Sequence, residues 1–124
     1  MKDDKAVELF QKILAKSRDR AIKWEATAED GTYIAALAPE LHLKVWPYTT
    51  IDEDGVPTGP PSVDLRDAKG KLLVEMAYRI EGISQEELEE ISYMAKKIAL
   101  NLDDKMDAAI KKLDDLVGDS DLPF

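Results

Sequence analysis

Hydrophobic spacing changes period twice along this chain. Between residues 4 and 17, Ala6, Val7, Phe10, Ile13 and Leu14 recur at steps of three and four, with Glu8, Gln11, Lys12 and Lys16 on the opposite side. That spacing predicts an amphipathic helix, and Asp3 or Asp4 is placed to cap its start. From residue 21 the period falls to two. Ile22, Trp24, Ala26 and Ala28 alternate with Lys23, Glu25, Thr27 and Glu29, the pattern of a strand buried on one side. Asp30-Gly31 is a hairpin signal, and a second strand is predicted over residues 32–38. After Pro39-Glu40, residues 41–48 set Leu41, Leu43 and Val45 against His42, Lys44, Trp46 and Tyr48.

Residues 49–61, with three prolines and two glycines, predict an irregular loop. Beyond it Val63 and Leu65 oppose Asp64 and Arg66, and Asp67-Ala68-Lys69-Gly70 turns the chain. In a fifth strand Leu72, Val74, Met76, Tyr78 and Ile80 alternate with Leu73, Glu75, Ala77, Arg79 and Glu81. Helical spacing returns after Gly82. Ser84-Gln85-Glu86-Glu87 has the form of a capping box, followed by Leu88, Ile91, Ala95, Ile98, Leu102, Met106, Ile110, Leu113 and Leu116. One helix over residues 85–117 would be about 50 Å long, against about 35 Å for a compact domain of this size. Asn101-Leu102-Asp103 supplies the break, with Asn101 left-handed and Asp103 capping a second helix. The helices are therefore expected over residues 85–100 and 104–117; left unbroken, the apolar stripe would project and favour oligomers.

Together these elements predict an α+β fold: an N-terminal helix, a five-stranded antiparallel meander, and two C-terminal helices packed on one sheet face. Residues 1–117 form a single domain and residues 118–124 an acidic tail.

Composition narrows the chemistry. The chain has 124 residues, no cysteine and one histidine, and a net charge of −9. Disulfides, thiolate catalysis and zinc-thiolate sites are excluded, and histidine-rich metal centres with them. No metal or cofactor is expected. Residues 82–124 hold 11 acids and five bases, and neither this part nor the rest is basic, which disfavours direct nucleic-acid binding. No signal-peptide core follows Met1-Lys2-Asp3-Asp4-Lys5 and no apolar run is long enough to span a membrane; a cytoplasmic location is the expectation.

Catalytic motifs are absent. Ser62, His42 and Asp64 supply the residue types of a triad without a nucleophile-elbow sequence, and the glycines make no phosphate-cradling loop. Asp52-Glu53-Asp54-Gly55 lacks the spacing of a calcium loop and reads as a solvated acidic turn. The candidate interface is the polar sheet face, where His42, Lys44, Trp46, Tyr48, Arg66 and Arg79 gather cations and aromatics. Such a mixture suits a protein partner or stacked single-stranded bases, while Glu25, Asp64, Glu75 and Glu81 share the face and can neutralise it.

The remaining candidate is Asp119-Ser120-Asp121-Leu122-Pro123-Phe124. Phe124 offers a ring and an adjoining carboxylate, Pro123 restrains Leu122 toward extended backbone, and Asp119 and Asp121 steer toward a basic surface. This segment resembles the acidic tip of bacterial single-stranded-DNA-binding proteins. The resemblance implies a partner among the replication and repair proteins that read such tips. A second resemblance, carried by Ile22-Lys23-Trp24-Glu25-Ala26-Thr27, Gly31-Thr32-Tyr33 and Met94-Ala95-Lys96-Lys97-Ile98-Ala99-Leu100, is to small uncharacterised bacterial proteins with a helix, a meander and a helical end. It implies a fold and no catalytic residues.

The expected function is that of a non-enzymatic accessory or adaptor protein of bacterial or phage DNA metabolism, with a protein partner and a homodimer left open. Its rivals are an acidic immunity, inhibitor or DNA-mimic protein acting through its helices, and a weak single-strand binder acting through the sheet.

Overall fold

The structure, a computed structural model, describes residues 4–116. Helix α1 spans Asp4–Arg18 and buries Ala6, Phe10, Ile13, Leu14 and Ser17. It ends without glycine. Arg20 takes φ 59°, while the amides of Arg20 and Ala21 donate to the carbonyls of Ser17 and Lys16, so an arginine occupies the left-handed position of a helix-ending turn.

Seven strands follow: β1 (Glu25–Ala26), β2 (Tyr33–Ala38), β3 (Leu41–Trp46), β4 (Thr50–Ile51), β5 (Pro57–Thr58), β6 (Ser62–Arg66) and β7 (Leu72–Met76). The main sheet has the order β1-β2-β3-β6-β7, with each neighbouring pair antiparallel. It is the five-stranded meander that the alternation predicts. Strands β1, β3 and β7 are shorter than their patterns, for local reasons. Ile22 and Trp24 are buried as expected, but Ala26 and Ala28 are exposed. The Thr27 hydroxyl accepts from the Glu29 amide and donates to the Thr32 carbonyl, which closes the turn and ends β1. Strand β3 stops before Pro47, which has no amide to donate. Strand β7 stops at Met76 rather than running to Glu81, because the Ile80 amide turns back to the Ala77 carbonyl. The expected irregular loop over residues 49–61 contains the separate β4–β5 hairpin.

One sheet face presents Tyr33, Ala35, Leu43, Val45, Val63, Leu65, Val74 and Met76, which the register aligns across the strands. Helices α1 and α2 (Gln85–Leu100) lie side by side over it, and Phe10, Leu14, Leu43, Val45, Val63, Met76, Leu88 and Ile91 make a continuous buried core. The start of α2 is closely specified. Ser84 and Glu87 cap each other's backbone amides, the predicted capping box. Gly82, at φ 99°, lies where a Cβ would stand 3.0 Å from a Val7 methyl. Trp24, buried, donates its indole N–H to Ser17 Oγ at 3.1 Å, which satisfies both polar groups inside the core.

Asn101 takes φ 54°, ψ 46° and separates α2 from α3 (Leu102–Asp114). The break is where the sequence predicts it, but Asp103 does not cap. The helix already starts at Leu102, and the Asp103 carboxylate pairs with Arg20 and, at 3.2 Å, with Lys97. The packed helical layer is α1 with α2. Helix α3 packs against α2 and contains no buried residue. Among the described residues, no helix is long and apolar enough to cross a membrane.

Candidate functional site: the open sheet face

The face turned away from the helices is built by the same register. Lys44 on β3, Asp64 on β6 and Glu75 on β7 form one cross-strand row, and His42, Arg66 and Leu72 form the next. His42, Lys44, Trp46 and Arg66 are therefore brought together as predicted. Tyr48 follows β3 at the cleft beside Trp46, and Arg79 sits in the turn beyond β7.

Their interactions are mostly with one another. Asp64 is buried, and its Oδ2 accepts from Trp46 Nε1 at 2.6 Å and from Arg66 Nη2 at 2.7 Å and Nε at 3.2 Å. Arg66 Nη1 donates to the Gly70 carbonyl at 2.9 Å. Lys44 Nζ lies 4.1 Å from the centre of the Trp46 ring and Arg66 Cζ 5.7 Å from it, both within cation–π range. Arg79 pairs with Glu75. Trp46 is thus held edge and face, and both arginines are engaged by carboxylates. Free positive charge, which a phosphate backbone needs, is small here.

The sequence misplaces one residue of this face. The β6–β7 register shifts between Leu65 and Arg66, so that Arg66 opposes Leu72 while Leu65 opposes Val74. The bulge moves Leu72 from the core side, where strict alternation puts it, to the open side. Ile51 also went unnoticed, lying within a stretch read as loop. A hydrophobic residue amid acids was the available signal, but its position depends on the β4–β5 pairing. With β4, the open face bounds a cleft of about 360 Å³ lined by Trp46, Tyr48, Ile51, Asp64, Leu72 and Glu75, among others.

The residue types of a triad are set apart by the register. His42 pairs with Arg66 whereas Ser62 pairs with Trp46, four residues along the strand or about 13 Å apart, so Ser62, His42 and Asp64 make no triad. Among the described residues, no three metal-ligating side chains are grouped to hold an ion. Asp52 Oδ1 accepts from the Asp54 and Val56 amides at 2.9 and 2.8 Å, a turn-closing role.

The acids of α2 are partly committed as well. Glu87 accepts from Gln11 and from its Ser84 cap, which hold its carboxyl below the usual range. The Arg18 guanidinium, bonded to both oxygens of Glu90, does the same to that residue. Asp103 is held low by Lys97 and Arg20. These carboxylates join α1, α2 and α3, which leaves fewer of them for an acidic partner-binding face. The predicted tip residues Asp119, Asp121, Leu122, Pro123 and Phe124 lie outside the described residues. Compared with known proteins, the chain matches no family model, no curated protein and no solved structure.

Proposed function

We propose that this protein is a non-enzymatic adaptor of bacterial or phage DNA metabolism, whose folded body carries the Asp121-Leu122-Pro123-Phe124 segment to proteins that read single-stranded-DNA-binding-protein tails. The observation that supports this reading is α3. Its 13 residues bury none of their side chains, and Met106, Ile110, Leu113 and Leu116 are all exposed. An apolar stripe that contributes nothing to the core is characteristic of an interaction element, and this one leads directly into the tail. The self-paired arginines of the sheet face favour a protein partner over nucleic acid.

The test is competition, by fluorescence polarisation, for a tail-reading repair protein bound to a labelled tail peptide. The intact chain should compete, and removal of Phe124 should abolish competition. Equal competition by both forms, or none by either, overturns the assignment to DNA metabolism. Sedimentation of the intact chain, with and without Leu113→Lys, separates a partner-facing α3 from one covered by a second copy.

A further inference from the structure

The cleft between β4 and the open sheet face contains a buried carboxylate oxygen, Asp64 Oδ1, that no donor among the described residues reaches. Asp64 and Glu75 stand directly opposite each other on β6 and β7, an arrangement in which like charges repel. Arg66 is the one base in the cleft lining, and its Nε and Nη2 donate to Asp64 Oδ2 and its Nη1 to the Gly70 carbonyl. Asp64 Oδ2 thus takes three donors, whereas Oδ1, itself buried, accepts from none. A buried carboxylate oxygen without a donor has lost its water and gained nothing in return. Glu75 is held from outside by Arg79, whose own side chain is 59% exposed.

The remainder of the lining limits what fits. Ile51 and Leu72 bring exposed aliphatic surface to the cleft, and Tyr48 adds an aromatic ring. A volume of about 360 Å³ lies near the lower end for ligand sites, room for one long side chain. An anion would meet two carboxylates and one arginine that already pairs with Asp64. A cation is favoured by the net charge of the lining and by the −9 of the whole chain. A planar fork of donors suits two neighbouring carboxylates better than a point charge does.

We infer that this cleft binds an alkylguanidinium, the arginine side chain of a protein or peptide ligand. The guanidinium exchanges with Arg79 on Glu75 and donates to Asp64 Oδ1, and the aliphatic stem lies along Ile51, Leu72 and Tyr48. Arg79 is then an internal competitor for the site.

Trp46 provides the readout, since its indole N–H donates to the same Asp64 carboxylate. The full chain is titrated with N-acetyl-arginine N-methylamide while the Trp46 indole resonance is followed by ¹H–¹⁵N NMR. A saturable shift is expected, and the neutral citrulline analogue should produce none. Arg79→Ala should tighten binding several-fold, and Glu75→Gln should weaken it at least tenfold with the remaining amide spectrum unchanged. Agmatine serves as the second source: weaker binding than the blocked arginine supports a peptide ligand, and tighter binding keeps the chemistry but assigns it to a free alkylguanidine. No shift with any guanidinium, or an equal shift with citrulline, overturns the inference. The titration reads Trp46, Glu75 and Arg79 and the tail competition reads Phe124, so each result stands or falls without the other.

Discussion

Helices α2 and α3 carry the same kind of message in sequence and meet opposite fates. Both space apolar residues at three and four, yet α2 buries Leu88, Ile91 and Ala95 while α3 buries nothing. The difference lies in how each helix is aimed. Gly82 and the Ser84–Glu87 box start α2 where its apolar side crosses β1, β2 and β3. Asn101 in its left-handed conformation then redirects the chain, and Asp103 ties the start of α3 to Arg20 and Lys97. By then the sheet face is already covered by α1 and α2. Amphipathicity states that a helix has a face to cover; it does not state what covers it. For α3 the described residues supply no cover that buries a side chain.

The comparison is sharpest at single side chains. Leu88→Ala or Ile91→Ala, each at a fully buried site, should cost about 2–5 kcal/mol in urea unfolding, whereas Ile110→Ala and Leu113→Ala should stay within about 0.5 kcal/mol. A large loss at Leu113 in dilute monomer would show that α3 belongs to the core after all. Gly82→Ala imposes a side chain on a positive φ and against Val7 and should cost more than about 1 kcal/mol. It tests whether the aim of α2 depends on that approach. Ser84→Ala removes one half of the capping box and should cost about 1 kcal/mol, visible as a lower melting temperature.

The smallest effects are those of the charged ties between helices. Glu87, Glu90 and Asp103 have folded-state pKa values below their usual ones. Their contribution is therefore present above the ordinary carboxylate range and is lost as pH falls through the lowered values. Glu90→Gln should flatten the acid limb of a stability–pH curve, with little change at neutral pH beyond loss of the exposed Arg18 pair. Asp103→Asn should instead speed amide exchange in α3 and leave α2 unchanged. Faster exchange in both helices would mean that they open as one unit.

Much of this fold was legible in advance because it depends on local periodicity. The helix at residues 4–17, the sheet with its apolar face, the capping box at Ser84 and the break at Asn101 all follow from spacing and from residues with strong backbone preferences. The gathering of His42, Lys44, Trp46 and Arg66 was also legible, since alternation alone puts them on one side once β3 and β6 pair. What escaped was set by single irregularities. A one-residue bulge brought Leu72 to the open face, a threonine hydroxyl ended β1 before Ala28, and an arginine took a left-handed position that usually belongs to glycine.

The sequence by itself determined which residues avoid water and with what period, because those are properties of side chains and of the backbone near them. Only the tertiary structure decided which apolar face found a partner. It also decided that Asp64 and Glu75 stand opposed at one cleft, and that the arginines of the face are already engaged. Those outcomes depend on register and on the order in which surfaces are covered. A shift of one residue, or a helix arriving after the sheet is full, changes them without changing the hydrophobic pattern.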